Sequence, residues 1–160
     1  MVKHPIPPFF NKNSKVLILG SFPSVKSREQ MFFYGHPYNR FWRVLAEIFN
    51  AAEPVNVDQK KSFLSAHKIA LWDVIASCEI KGSSDASIKN AVPNDLSIIL
   101  NSAPIDKIFV NGKTAEKYYN KYIKSIISRE AACLSSTSPA NARKSLEDLV
   151  NEWRVIKCYV

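Results

Sequence analysis

The chain has 160 residues, of which 46% are apolar and 22% charged, a size and balance that fit one globular domain and exclude a disordered segment. No apolar run approaches the roughly 20 residues that cross a bilayer, and Met1-Val2-Lys3-His4-Pro5 has no apolar signal core behind it, so a soluble intracellular protein is expected. Lysine and arginine outnumber the acids by 22 to 14, a net +8 that favours a polyanionic partner such as nucleic acid. Cys78, Cys133 and Cys158 form no CxxC pair and are odd in number, which argues against a zinc or iron–sulfur site and a disulfide framework.

In chain order, the prolines of His4–Phe10 predict an extended arm, taken as residues 1–13. Lys15–Gly20 is a short apolar run ending at glycine, the pattern of a strand buried on both faces of a parallel sheet. After Asn39, the residues Phe41, Leu45, Ile48 and Phe49 share one helical face. A weaker helix spans Val57 to His67, and a second apolar run follows at Ile69–Val74. Another helix is predicted to open at Pro93. A third run lies at Lys107–Val110, with a helix carrying Ala115, Tyr119, Tyr122, Ile123 and Ile126 behind it. The fourth run is Ala131–Leu134, followed by a helix with Ala142, Leu146, Leu149, Val150 and Trp153 inward. Strands alternating with helices predict an α/β fold, a three-layer αβα sandwich around about four parallel strands, as a single domain.

In such sheets ligands bind beyond the carboxyl ends of the strands. Those ends carry Gly20-Ser21-Phe22-Pro23-Ser24, Trp72-Asp73, Asn111-Gly112-Lys113-Thr114 and Ser135-Ser136-Thr137-Ser138-Pro139-Ala140-Asn141. Helix starts on this rim offer N–H groups to phosphate. Taken singly, each residue also has a local reading: Gly112 as a turn, Ser138-Pro139 as an N-cap and first helical residue, Asn39 as a cap, Asp73 as a solvated or capping carboxylate.

Together these stretches, with Tyr34-Gly35-His36-Pro37-Tyr38-Asn39-Arg40-Phe41-Trp42, resemble the hypoxanthine-DNA glycosylase branch of the uracil-DNA glycosylase superfamily, in the same order and over roughly Ser14 to Trp153. The resemblance implies a cofactor-free, metal-free and monomeric enzyme that binds DNA containing deaminated bases, flips the base into a pocket and hydrolyses its N-glycosidic bond, leaving an abasic site. It places Gly20, Ser21, Phe22 and Pro23 beside the flipped base, and Ser136, Thr137, Ser138, Pro139 and Asn141 against the DNA backbone. The uracil-specific branch carries a water-activating aspartate where Phe22 stands, a histidine where Ser136 stands and a wedging leucine where Ala140 stands. In the hypoxanthine branch the catalytic group is an asparagine that Asn39 matches. An amide is a poor base but can orient a water by accepting one hydrogen bond and donating another. Asp73, as an ionised acceptor, is expected to select bases that offer a ring N–H. Phe22, with one of Phe32, Phe33 or Tyr34, is expected to stack on the base, and Asn111 to border the pocket. Ser24, Gly112, Lys113 and Arg143 are expected near phosphates, with Lys144 beside them. No lysine is placed as a Schiff-base nucleophile, so no strand cleavage is expected. A uracil-preferring glycosylase and an inactive nucleic-acid- or nucleotide-binding module are the alternatives.

Overall fold

The computed structural model describes all 160 residues. In chain order the elements are β1 (Val2–Lys3), β2 (Val16–Gly20), α1 (Val25–Gln30), α2 (Phe41–Ile48), α3 (Val57–Ala66), β3 (Ile69–Asp73), β4 (Ile75–Glu79), β5 (Lys89–Pro93), α4 (Ser97–Leu100), β6 (Lys107–Asn111), α5 (Lys113–Tyr122), α6 (Lys124–Ile127), β7 (Ala132–Leu134) and α7 (Leu146–Trp153). Short 3₁₀ turns cover Asp85–Ser87 and Arg154–Cys158.

All four apolar runs become strands of one sheet in the order β3-β2-β6-β7, parallel throughout. Side chains along a strand alternate between faces, so each strand feeds two cores. Val16, Ile18, Ile69, Leu71 and Phe109 point to one side and pack with Phe41, Trp42, Leu45, Leu64, Leu149 and Trp153. Leu17, Leu19, Ala70, Ile108 and Val110 point to the other and pack with Ile99, Ala115, Tyr119 and Ile123. Both faces are therefore covered, as a parallel sheet requires. From central β2 the chain passes first to β3 on one side and later to β6 on the other. That reversal leaves a crevice beyond the carboxyl ends of β2 and β6, where ligands collect in open α/β sheets.

A second, antiparallel sheet of order β1-β4-β5 lies outside the predicted pattern. Only Val74 separates β3 from β4, so no turn signal divides the apolar run. The helix expected to open at Pro93 is replaced by strand β5, which ends there, and a four-residue α4 that starts at Ser97. The reason is local. The Asn94 N–H donates to Val74 O at 2.8 Å, and its side-chain amide donates to the Asp73 and Ile75 carbonyls at 2.9 and 3.2 Å. Strand pairing thus continues past the proline. The helix expected to run through Ile126 breaks at Ile123 and resumes as α6. The last helix begins at Leu146 and not at Ala142, because Ser145 and Asp148 close a capping box there. Ser138-Pro139 consequently starts no helix. No helix is long and apolar enough to cross a membrane.

The extended arm packs across the end of β3. Its Phe9 bridges Leu71, and the His4 N–H donates to Ala76 O at 2.8 Å.

Candidate active site

A cleft of about 530 Å³ opens at the carboxyl edge of the parallel sheet, within the range of small-molecule pockets. It is lined by Gly20, Ser21, Phe22, Pro23 and Ser24 after β2, by Phe33, Tyr34, His36 and Asn39 before α2, by Asp73 at the end of β3, by Asn111 at the end of β6, and by Ser136–Ala140 after β7. Ser83, Ser84, Asp85 and Ala86 of the β4–β5 loop complete the wall.

Asp73 is buried at 4% exposure, and its Oδ2 lies 2.7 Å from His4 Nε2. The other ring nitrogen, Nδ1, accepts the Ile6 N–H at 3.2 Å. An imidazole nitrogen that accepts carries no proton, so His4 is the neutral tautomer with its hydrogen on Nε2, and Asp73 is the acceptor. The arm therefore leaves Oδ1 of Asp73 as the free oxygen of an ionised carboxylate. An alanine-type Cβ built at Gly20 would fall 2.4 Å from that oxygen and 3.1 Å from the Tyr34 hydroxyl. Glycine at position 20 is what lets these two groups converge on β2.

Tyr34 occupies the left-handed region at φ 53, uncommon for a bulky side chain and a kind of strain that gathers at functional sites. Its ring stacks on Phe41 at 3.9 Å, which holds it toward the cleft. Its hydroxyl is buried without a hydrogen-bond partner. Burial, and then the charge of Asp73, push the phenol pKa up, so the hydroxyl stays a donor. Phe22 presents its ring between His4, at 5.8 Å edge to face, and the Arg28 guanidinium, at 5.6 Å. Phe33 also lines the cleft, whereas Phe32 packs on Trp42 and Phe9 in the core.

Asn39 stands just ahead of Arg40, the N-cap of α2, and faces the site. Its Oδ1 accepts the Phe41 N–H at 2.9 Å, which fixes the carboxamide and leaves its amino group uncommitted. Beside it, Arg40 ties down the last motif, Ser135–Asn141. Its N–H donates to Thr137 O at 3.0 Å, and its guanidinium donates to the carbonyls of Lys144, Asn141 and Ser138. From behind, Glu152 on α7 accepts the N–H and hydroxyl of Ser135, and Trp153 donates to the Ser135 carbonyl. Motif one, Gly20–Ser24, is tied similarly: Ser24 caps α1, and the buried Ser27 hydroxyl accepts the Gly35 N–H at 2.9 Å.

Thr137, expected against the DNA backbone, is fully buried, and this corrects its role. Its hydroxyl and N–H are taken by the Asn111 amide, both at 3.1 Å. The pair is a clamp between β6 and the last motif, with Asn111 spending its amide on the protein. Asn141 likewise closes its own loop by donating to Ser136 O at 2.9 Å and does not line the cleft. Gly112, at φ 94, turns β6 into α5 outside the cleft, and a Cβ there would meet Ser136 Cβ at 3.0 Å. Lys113 and Arg143 are exposed and lie outside the cleft. Sequence reasoning missed His4, Arg40 and Asp85. Arg40 sat inside the quoted block, but nothing in an arm or a serine-rich loop marked the other two.

Comparisons with known proteins match nearly the whole chain. The family model described as Uracil DNA glycosylase superfamily matches residues 7–158. A relative from Methanosarcina barkeri (strain Fusaro), named hypoxanthine DNA glycosylase, is 35% identical over 155 residues, 96% of each chain. One of the same name from Methanosarcina acetivorans is 32% identical over 158 residues, 98% of each chain. A solution NMR structure from Methanosarcina acetivorans, provisionally assigned as a uracil DNA glycosylase, superposes with a TM-score of 0.83 at 31% identity, covering 98% of this chain and 97% of that one. The chain belongs to the uracil DNA glycosylase superfamily.

Proposed function

We propose that this protein is a monofunctional DNA glycosylase that flips a deaminated base, hypoxanthine foremost, out of DNA and hydrolyses its N-glycosidic bond to leave an abasic site. The two relatives bear the name of that activity. The observation that carries the reading is the pairing of a fixed acceptor, Asp73 Oδ1, with an unpartnered buried donor, the Tyr34 hydroxyl, beside Gly20. Hypoxanthine offers a ring N–H next to a carbonyl oxygen, the complement of that pair. Adenine presents an acceptor and an amino group in the same places, leaving both protein groups mismatched, which is costly in a buried site. Guanine shares the hypoxanthine edge, and its rejection rests on the greater cost of flipping a well-paired base. Uracil presents the same edge, so a second activity on uracil follows from the same two groups.

Phe22 supplies the stacking face, a contact worth about 1–3 kcal/mol. Asn39, its carboxamide fixed by Phe41, donates to and orients the water at the sugar, whose transition state has oxocarbenium character. Ser136, Ser138, Pro139 and Ser24 on the rim, with Lys113 and Arg143 outside it, meet the DNA backbone, while the buried Gly112 gives its N–H to Leu134 O and only shapes the turn. Four labelled duplexes carrying hypoxanthine, uracil, xanthine or only normal bases, treated with alkali to reveal abasic sites, test this. Cleavage at hypoxanthine that falls roughly 100-fold in Asn39→Ala supports the enzyme and the role of Asn39. Undiminished cleavage in the variant leaves Asn39 only its hold on the Phe41 N–H, and no cleavage of any deaminated duplex leaves a binding module.

A further inference from the structure

Motif one carries Phe22 where the uracil-specific enzymes carry their water-activating aspartate, yet a carboxylate does reach this cleft from elsewhere. Asp85 stands in the β4–β5 loop, more than sixty positions along the chain from Ser21, and its Oδ1 accepts the Ser21 hydroxyl at 2.9 Å. The loop that carries it is fastened to motif one and α1: Ser83 Oγ accepts the Val25 N–H at 2.9 Å, and the Arg28 guanidinium donates to Gly82 O at 2.7 Å. It is also closed on itself, with the Lys81 N–H donating to Ser87 Oγ at 2.8 Å and the Ile88 N–H to Asp85 O. Asp85, although exposed as a residue, thus has its carboxyl group held at the wall shared with Ser21, Phe22 and Asn39.

Of the two carboxylates in the cleft, Asp73 has Oδ2 on His4 and, on the glycosylase reading, Oδ1 given to the ring N–H of the base. Asp85 has Oδ1 on the Ser21 hydroxyl, and the Thr114 hydroxyl is the one other hydrogen-bonding group that acts on its carboxyl group. Resting on the glycosylase reading, we infer that Asp85 is the general base that activates the hydrolytic water, while Asn39 positions it. The carboxylate takes one proton from water. The water oxygen bonds to C1′ as the C1′–N9 bond breaks, and the electron pair leaves with hypoxanthine as its anion. Solvent protonates that anion, and Asp85 returns its proton to solvent, so the sum is addition of water across the glycosidic bond. Burial raises the Asp85 pKa above the ordinary carboxylate range, against the lowering pull of the Ser21 and Thr114 hydroxyls and with help from the Asp73 charge. A carboxylate so raised is a better base. The charged or titratable groups around it are Asp73 at the end of β3, His4 of the arm, Cys78 on β4, Tyr34 and His36 in the cleft, Arg28 on α1 and Lys81 in its own loop. Lys113 on α5 is engaged with Glu116 and is 89% exposed at its side chain.

The test is the single-turnover release of hypoxanthine from a deoxyinosine duplex across pH, in wild type and Asp85→Asn. Affinity is measured in parallel on the same duplex carrying the slowly cleaved 2′-fluoro-deoxyinosine. Asparagine can still accept the Ser21 hydroxyl, so the loop keeps its anchor. The inference predicts a wild-type rate that climbs tenfold per pH unit up to the Asp85 pKa and then levels. It predicts an Asp85→Asn rate lower by roughly 100-fold, with that limb absent and analogue affinity unchanged. A variant within roughly threefold of wild type, a slow variant that keeps the acid limb, or a parallel loss of analogue affinity would overturn it. Wild type that releases no base removes the proposed function itself. An active wild type with an unchanged variant removes only the role of Asp85.

Discussion

His4 is the residue whose removal says most about how the cleft recognises a base. Its neutral ring donates to Asp73 Oδ2 and is held in that tautomer by the Ile6 N–H. His4→Ala leaves a buried carboxylate oxygen unsatisfied, which costs on the order of 1–3 kcal/mol. Thermal unfolding should register that loss, and hypoxanthine excision should fall by about tenfold or more as Asp73 turns away from its place. His4→Gln, which restores a donor, should recover part of both; full activity in His4→Ala would separate the arm from recognition. Gly20→Ala should be harsher, because its methyl group would sit 2.4 Å from Asp73 Oδ1. Displacing the carboxylate should cost about 1–3 kcal/mol of stability and most of the excision rate, read by denaturant melts and single-turnover assays. Gly20, Tyr34 and Asp73 were legible in the sequence, since each ends a strand or sits in a recognisable block. His4 was not, because a histidine among prolines gives no periodic signal and its partner stands 69 positions away.

At the scale of elements, the four parallel strands and the helices α2, α3 and α5 could be read from apolar runs and helical faces, because each buries a continuous set of side chains. The small sheet β1-β4-β5 could not. Its burial pattern is broken, and β5 reads exposed and half-buried along its length. The loss matters for function, since the β4–β5 loop delivers Asp85. The segment from Ser138 to Lys144 was read as a helix start, whereas Arg40 holds it as an irregular loop through three carbonyls. Arg40→Ala should therefore raise hydrogen exchange across residues 138–144 and weaken DNA affinity by about tenfold, while leaving the parallel sheet protected. Exchange unchanged in that segment would show that α7 alone holds it. The start of α7 depends on its capping box. Ser145→Ala should cost about 1 kcal/mol. Hydrogen bonds from the Ser145 backbone and side chain hold the Asp148 pKa below the ordinary carboxylate range. Its contribution is thus complete above the unfolded value near 4 and is lost as pH falls through the lower folded value. An acid titration of unfolding in Asp148→Asn should be flatter than wild type over that window.

The whole molecule carries a net +8, which favours an acidic polymer as its partner. Affinity for DNA should fall linearly with log salt, by about 0.9 in log K per log salt for each phosphate neutralised. Arg143, exposed beside the last motif, should lower that slope by about one when changed to alanine, with base preference unchanged. An unchanged slope would take Arg143 off the DNA. Charge alone could give this direction but not its target, which required the parallel sheet to bring Asp73, Tyr34 and Asn39 to one cleft from separate parts of the chain. The central claim is that the cleft takes a base with a ring N–H beside a carbonyl and releases it by hydrolysis. Mass-spectrometric identification of the free base liberated from a duplex with a single deoxyinosine tests it most directly. The account predicts one equivalent of hypoxanthine per duplex, an uncut strand bearing an abasic site, and no adenine from the matching deoxyadenosine duplex. Release of no base, or of adenine as readily as hypoxanthine, would contradict it.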